Sequence, residues 1–354
     1  SFRFDLQIEE DLIEEVARMV GYDNLPQTPP LAPIVAKIRP EGVRSAFAVR
    51  RCVAALGYQE TINFSFVEER WEHELAGNPD PIRLLNPIAS QMSVMRSSLL
   101  GSLLQVLKFN QDRKAQRVRI FEVGSVFLRD ASVANTDTTV QGLNQPMRLA
   151  GLAVGPCEAP EWGCQERPVD FFDVKGDLEA LLAPKRLRFV AAQHPAMHPG
   201  RCAQVMVADQ VVGFVGELHP KWRQAYDLTH APIMFEIDLN AVLAREVPAF
   251  KTVPKFQAIE RDIAVLVNEK VTHDALMQAI WTAPVGGVLR DALLFDIYRP
   301  KPCGEAAGQV TEKSMAVRLT LNAQDAALSE EQIDAAVAAV VATLGRQLGA
   351  RQRV

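Results

Sequence analysis

Residues 86–127 read NPIASQMSVMRSSLLGSLLQVLKFNQDRKAQRVRIFEVGSVF, and the fold turns on this stretch. Asn86 and Pro87 break the chain, and a short segment ends in Met95-Arg96. Leu99, Leu100, Leu103, Leu104 and Leu107 then recur at helical spacing. Asp112, Arg113 and Lys114 form a charged turn. Val118 to Phe127 reads as a mostly apolar strand carrying Glu122. A loop, an apolar helix and a long strand place this stretch at the centre of a large α+β domain. Arg96 and Glu122 either do chemistry there or hold structure.

Outward from that centre, 354 residues suggest two or three domains, at roughly 100–200 residues each. The chain carries 38 Lys and Arg against 43 Asp and Glu, which excludes a chain basic throughout but leaves room for a local basic face. Five cysteines (Cys52, Cys157, Cys164, Cys202 and Cys303) make an odd set without a C-x-x-C, so free thiols in a reducing cytoplasm are expected rather than a disulfide framework or a zinc ribbon. There is no run of about 18 apolar residues and no signal peptide, so no membrane partner is expected.

The opening SFRFDLQI alternates, with Phe2, Phe4, Leu6 and Ile8 on one side, which predicts a strand over 1–8. A strand needs partners, and none lies upstream, so the sequence reads as a piece of a longer polypeptide. Next, Ile13, Val16, Ala17 and Val20 form the apolar stripe of a helix, and Gly21 stops it. Asp11, Glu14 and Glu15 stand at i, i+3 and i+4 on its other face, within reach of Asp5. Clustered carboxylates repel unless a cation sits among them, and Mg²⁺ takes oxygen ligands while keeping several waters. A merely solvated acidic face explains the same residues, and spacing alone leaves both readings open.

Five prolines in 26–40 form a stiff linker. A helix is expected over Gly42–Leu56 and strands over Glu60–Phe66, Met147–Val154, Leu187–Ala192, Ala203–Ala208, Val211–Leu218 and Ile233–Ile237. FFDVKGDLEALL (171–182) reads as strand into helix, and a short helix ends near Arg245. Cys157 and Cys164, seven apart in a loop, make a poor metal spacing. Beyond Pro248 to Pro254, strands Asp262–Val267, Leu289–Ile297 and Ser314–Leu321 and helices His273–Thr282 and Ser329–Leu344 follow in the order β-α-β-β-α. This is the split βαβ, ferredoxin-like order, with room for a short final strand. Ser329 with Gln332 matches a capping box, and Gly345 and Gly349 end the second helix. Lys251, Lys255, Arg261, Arg290, Arg299, Lys313 and Arg318 recur on or beside these strands, with Phe256, Phe295 and Tyr298 among them. Aromatics and cations on a sheet suit single-stranded RNA, and half-buried sheet residues with snorkelling cations fit the pattern equally.

Five runs carry a resemblance: RFDLQIEEDLIEEVARMVGYDNLP (3–26), MRSSLLGSLLQVLKFN (95–110), RIFEVGSVF (119–127), GFVGELHP (213–220) and PKFQAIERDIAVLV (254–267). They resemble, in order, the C-terminal half or so of the beta chain of bacterial phenylalanyl-tRNA synthetases, without that family's N-terminal RNA-binding and editing modules. The resemblance implies four segments. Residues 1–25 are the end of a small domain preceding the core, in which Asp5, Asp11, Glu14 and Glu15 match a magnesium site associated with the alpha subunit. Residues 26–37 are the Pro-rich linker. Residues 38–247 are a degenerate class II synthetase-like antiparallel sheet core with helices. Residues 252–354 are a ferredoxin-like βαββα(β) anticodon-binding domain, with Arg261, Arg299 and Arg318 as candidate RNA contacts. An active class II site needs a glycine-rich strand ending in Glu-Arg. The matching run, APIMFEIDLNAVLA, has neither the glycines nor the pair, since Ile237 follows Glu236. No catalytic residue is therefore expected here, and Arg96 and Glu122 are expected to be structural. ATP would be used by the assembled enzyme and not bound by this chain. The resemblance further implies an alpha2beta2 heterotetramer with the alpha subunit, tRNA-Phe as ligand and a cytoplasmic location. Two rivals are a Mg²⁺-dependent phosphotransferase, which lacks a Gly-rich loop or basic cleft near residues 5–15, and a paralogous RNA-binding or regulatory protein.

Overall fold

A computed structural model of the chain describes residues 2–33, 36, 38, 40–250, 252–299, 312–324 and 326–353. It divides into two units, Ser1–Glu41 and Gly42–Val354.

In the first unit, helix α1 spans Glu9–Val20. Asp11 starts it by accepting the backbone N–H groups of Gln7 (2.8 Å) and Ile8 (3.0 Å). Gly21, at φ 91°, ends it and donates its N–H to Ala17 O. The strand expected over 1–8 is not formed. The described residues before α1 pair with no strand, and Phe2 and Phe4 are almost fully exposed. Alternation supplies a face, but a strand also needs a ladder for its N–H and C=O groups. The apolar stripe Ile13, Val16 and Val20 likewise stands more than half exposed.

The second unit begins with helix α2 (Ala46–Ala55) and a two-residue strand β1 (Gln59–Glu60). Helix α3 (Leu100–Asp112) follows, then strands β2 (Val118–Ser125) and β3 (Met147–Val154). Helix α4 (Phe171–Leu182) precedes β4 (Leu187–Ala191), β5 (Met197–Val207), β6 (Gln210–Leu218) and β7 (Ile233–Asp238), and α5 (Leu239–Leu243) closes the core module. The seven strands form one sheet in the order β1-β2-β3-β7-β6-β5-β4. All neighbours are antiparallel except β1 and β2, which run parallel through Gln59 opposite Ile120.

The leucines of α3 cover one face of this sheet, packing Leu103, Leu104 and Leu107 with Ile120, Leu152 and Met234. Helices α2 and α4 cover the other, with Val49, Val53 and Leu178 against Phe121, Leu149 and Phe235. Strand β3 is thus buried on both sides, and its sequence is a continuous apolar run rather than an alternation.

Several boundaries differ from expectation. Helix α2 starts at Ala46, not Gly42, because Ser45 caps it (Ala48 N to Ser45 Oγ, 3.1 Å). Residues 42–44 instead bond to the end of α5, through Arg44 N to Leu243 O and Arg245 N to Gly42 O. The strand expected over 60–66 is split: Glu60 stays with β2, and Phe66–Val67 pairs with Val94–Met95. The run 171–182 is helix throughout, because Asp170 takes the N–H groups of Phe172 and Asp173 as a cap and turns the two phenylalanines into the first helical turn. Strand β5 begins six residues earlier than predicted, at Met197.

The C-terminal module runs β8 (Ile259–Asn268), α6 (His273–Trp281), β9 (Leu289–Tyr298), β10 (Glu312–Leu321), α7 (Glu330–Leu348) and β11 (Arg351–Gln352). Its sheet order, β9-β10-β8-β11, is that of a ferredoxin-like fold. Both helices lie on one face, around Val265, Val317, Leu319, Leu276, Ile333 and Leu344. The capping box at Ser329 and Gln332 is present. Gly345 does not end α7. The helix passes through it and stops at Gly349, whose φ of 63° supplies the left-handed turn.

Candidate nucleic-acid interface and acidic clusters

The acidic face of α1 is occupied by arginine. Arg3 holds Asp5 through three bonds, Nε to Oδ1 (3.0 Å) and Oδ2 (3.1 Å) and Nη2 to Oδ2 (2.6 Å), and reaches Glu15 Oε1 at 2.8 Å. Arg18 pairs with the other oxygen of Glu15. These guanidinium groups depress the Asp5 and Glu15 carboxyls, and the two backbone N–H bonds depress Asp11. Glu14 is exposed on the same helix. The donors are the hard oxygens magnesium takes, and in this arrangement two of the four are already engaged by arginine. A guanidinium lies between Asp5 and Glu15, and Asp11 is committed to the backbone. Among the described residues no three His, Cys, Asp or Glu side chains are placed to hold a metal ion.

In the core module, three acids pin the segment that links Met95 to α3. Arg96 Nη1 meets Glu122 Oε1 at 2.7 Å, and both side chains are 3% exposed. Asn63 Nδ2 donates to the second oxygen of Glu122 (2.7 Å), and Arg96 Nε donates to Ser125 O (3.1 Å). Glu236 takes the Leu99 N–H (2.7 Å) and the Ser98 hydroxyl (3.0 Å), while burial pushes its pKa up. Buried Glu72 takes the Ser97 N–H (2.9 Å), the Ser97 hydroxyl and Asn78 Nδ2 (2.9 Å). Gly124 completes the packing, since a Cβ there would stand 2.3 Å from Arg96 Nη2. Every carboxylate oxygen in this cluster has a protein partner. What it can do is lock a loop between sheet and helix. The sequence singled out Arg96 and Glu122 but passed over Glu72, an acid in a charged run with nothing to mark it as buried.

The C-terminal sheet has an open face opposite its helices. Strand alternation puts Ala264 and Ala316 near its middle. Leu293, Phe295 and Tyr298 of β9 stand exposed along one side, helped by a bulge between Leu294 and Asp296. Arg318 lies over the Phe295 ring (5.4 Å to the centroid) and Arg353 over Tyr298 (5.1 Å). Arg318 is also held by Asp262, with Nε to Oδ1 at 2.8 Å and Nη2 to Oδ2 at 3.0 Å, which lowers the Asp262 pKa. Of the three candidate arginines, only Arg318 is on this face. Arg261 pairs with Glu330 in the first turn of α7 (3.0 Å), and Arg299 with Glu269 just past the end of β8 (2.9 Å). Arg290 donates to Asn322 O and Lys313 to Glu269 O. Lys251 and Cys303 lie outside the described residues. Arg353 was missed because nothing local marks a residue that reaches across a sheet. With Glu260, Asp262 and Asp296 on the same strands, the face is not a phosphate-binding surface. It is a shallow aromatic and guanidinium platform, suited to stacking unpaired bases.

Three family models match the chain in succession. They are described as tRNA synthetase B5 domain (residues 1–22), phenylalanyl tRNA synthetase beta chain CLM domain (25–239) and ferredoxin-fold anticodon binding domain (254–353). The chain belongs to the phenylalanyl-tRNA synthetase beta-chain family. A phenylalanine–tRNA ligase beta subunit of Cupriavidus pinatubonensis is 48% identical over 357 residues, covering 100% of this chain and 44% of that protein. One of Burkholderia pseudomallei is 49% identical over 354 residues, covering 99% and 44%. The chain thus spans less than half the length of these curated relatives. Among solved structures, a pyrrolysyl-tRNA synthetase of Desulfitobacterium hafniense aligns over 57% of this chain and 71% of its own, at a TM-score of 0.38 and 12% identity. No helix among the described residues is long and apolar enough to cross a membrane.

Proposed function

We propose that this chain is the C-terminal portion of a phenylalanine–tRNA ligase beta subunit, a scaffold without its own aminoacylation site. In this reading it assembles with the alpha subunit as an alpha2beta2 heterotetramer in the cytoplasm and presents tRNA-Phe. The assembled enzyme uses ATP and Mg²⁺ to form phenylalanyl adenylate and transfers phenylalanine to the terminal ribose of the tRNA. The observation that carries the reading is the succession of three synthetase domain matches along one chain.

The scaffold part is supported by the core cluster. Its sheet resembles a degenerate class II module in this reading, and the commitment of Arg96 to Glu122 and the Ser125 carbonyl supports a structural rather than a phosphate-binding role for that arginine. The tRNA part is supported by the platform of Phe295, Tyr298, Arg318 and Arg353. Arg261 and Arg299 enter only if RNA displaces Glu330 and Glu269. The four segments read from the sequence (1–25, 26–37, 38–247 and 252–354) belong to the same proposal. Magnesium at Asp5, Asp11, Glu14 and Glu15 belongs to it through the resemblance alone and requires Arg3 to release Asp5 and Glu15. Calorimetric titration of Mg²⁺ into wild type and Arg3→Ala tests that point, with tighter binding expected in the variant.

Co-purification with the alpha subunit, followed by phenylalanylation of tRNA-Phe, tests the whole. Activity from this chain alone would overturn the scaffold reading. Binding of RNA without preference for tRNA-Phe, together with indifference to alpha in a full-length subunit, would favour a paralogous RNA-binding protein.

A further inference from the structure

The end of α5, the start of α2 and the turn after α4 enclose a small cleft of about 190 Å³. Arg44, Lys185 and Arg245 line it, against the single carboxylate of Glu246. Two of the cations are pinned. Lys185 Nζ donates to Ala241 O (2.7 Å) and Ala244 O (2.6 Å). Arg44 donates through Nη2 to Leu181 O (2.9 Å) and Val242 O (2.8 Å), and through Nε to Val242 O (3.3 Å). These bonds satisfy the last carbonyls of two helices, but they do not exhaust the donors. Among the described residues, one N–H of Lys185 and the Nη1 group of Arg44 have no hydrogen-bond partner. Among the described residues the Arg245 guanidinium, exposed at the rim, has no ion-pair partner.

The charge is also not balanced. Burial and the neighbouring Arg44 charge both pull the Lys185 pKa down, and Glu246 opposes them without reversing the shift. Fixed, partly desolvated cations with spare donors have already lost the side-chain freedom that binding an anion would cost. A cleft of this size admits a tetrahedral oxyanion. The same turn continues as Arg186 and Arg188. Arg186 lies over Trp281 of the C-terminal module (4.7 Å to the centroid), and Arg188 Nε stands 3.6 Å from its Asp274. The cleft therefore adjoins the seam to the module whose platform offers stacking but little positive charge.

We propose that Arg44, Lys185 and Arg245 form a phosphate-binding site at the junction of the core and C-terminal modules. The phosphate comes from a nucleic-acid backbone or from free phosphate. Only the first source rests on the tRNA-binding reading above.

The test uses the 354-residue chain with two probes, inorganic phosphate followed by calorimetry and ³¹P NMR, and tRNA-Phe transcript binding measured across a salt series. Saturable phosphate binding is expected, weakened about tenfold or more in Lys185→Gln/Arg245→Gln and kept in Lys185→Arg. The transcript's salt slope should fall by about 1 for each backbone phosphate that is no longer neutralised. Arg245→Gln, which alters only an exposed side chain, keeps the test decisive if the double variant folds poorly. It should weaken phosphate binding by itself. Loss of phosphate binding with an unchanged RNA slope supports the site and assigns it to free phosphate. Wild type that binds no phosphate at millimolar concentration, or variants that bind it undiminished, overturns the proposal. Tyr298→Ala separates the two readings: it should leave phosphate binding intact, and its failure to weaken RNA binding would count against the platform alone.

Discussion

Replacing Glu122 by Gln removes one charge from a pair whose side chains are 3% exposed and whose contact is 2.7 Å. Breaking a buried pair by removing one partner costs about 3–5 kcal/mol, because the other charge stays buried and uncompensated. Here the lower end applies. Gln can still accept from Asn63, and Arg96 keeps the Ser125 and Phe64 carbonyls at 3.1 and 3.4 Å. The expected loss is about 3 kcal/mol, or roughly 6–12 °C in melting temperature for a module of this size. Urea unfolding followed by far-UV circular dichroism gives the number. The double variant Arg96→Met/Glu122→Leu provides the control. If desolvation of the pair roughly cancels its attraction, the double should lie within about 1–2 kcal/mol of wild type and well above either single. Adenylate formation by the assembled enzyme should be unchanged in Glu122→Gln. A single-variant loss under about 1 kcal/mol, or a double variant as unstable as the sum of the singles, would refute the reasoning. A catalytic defect in a stable, assembled variant would refute it from the other side.

Tyr298→Ala and Phe295→Ala should each weaken single-stranded RNA binding by about 1–3 kcal/mol in filter assays while leaving the melting temperature nearly unchanged, since both rings are half exposed. His194 is held by Ala196 N–H on its Nδ1 and tilts against Phe214, and burial lowers its pKa to about 4. The unfolded state binds its proton first, so this contribution is present above pH 6.5 and is lost as pH falls from there to about 4, by up to roughly 3 kcal/mol. Urea midpoints across that window should fall more steeply in wild type than in His194→Asn, which can accept the same N–H but does not titrate. Gly155→Ala should cost about 3 kcal/mol or more by thermal melting. A Cβ there would lie 2.0 Å from Gln116 O, at a φ of 90° that L side chains avoid.

The elements legible from sequence were those whose reason for forming is local. Leu99 to Leu107 repeats at helical spacing, Ser329 and Gln332 cap reciprocally, and β3 is a continuous apolar run, so all three lie where the periodicity put them. Three of the errors share one cause. The segments 1–8, 60–66 and 171–182 each carry a strand-like pattern, but whether a strand forms depends on a partner. Phe2 and Phe4 have none in the described unit. Glu60 and Phe66 find different ones, and Asp170 offers the following phenylalanines a helix start instead. The parallel pairing of Gln59 with Ile120 was equally invisible, because the two lie 61 residues apart and two residues carry no register signal.

The candidate sites show the same limit in chemical form. An arginine on a strand reads as a cation available to RNA, yet Arg261, Arg299 and Arg318 each have a carboxylate within 3.0 Å, supplied from a helix, a turn and a neighbouring strand. Four acids near α1 read as a magnesium site, and in the structure two of them, Asp5 and Glu15, share Arg3, two residues before Asp5. In both places the sign and number of the charges can be read along the chain but not their pairing, and the pairing decides whether a ligand is required. The reverse holds at the cleft. Arg44, Lys185 and Arg245 are scattered over two hundred positions and form no motif, and only the fold brings them together against one carboxylate. Unbalanced charge, rather than abundant charge, is what marks a place for an outside ion, and it becomes visible only once every internal partner has been assigned.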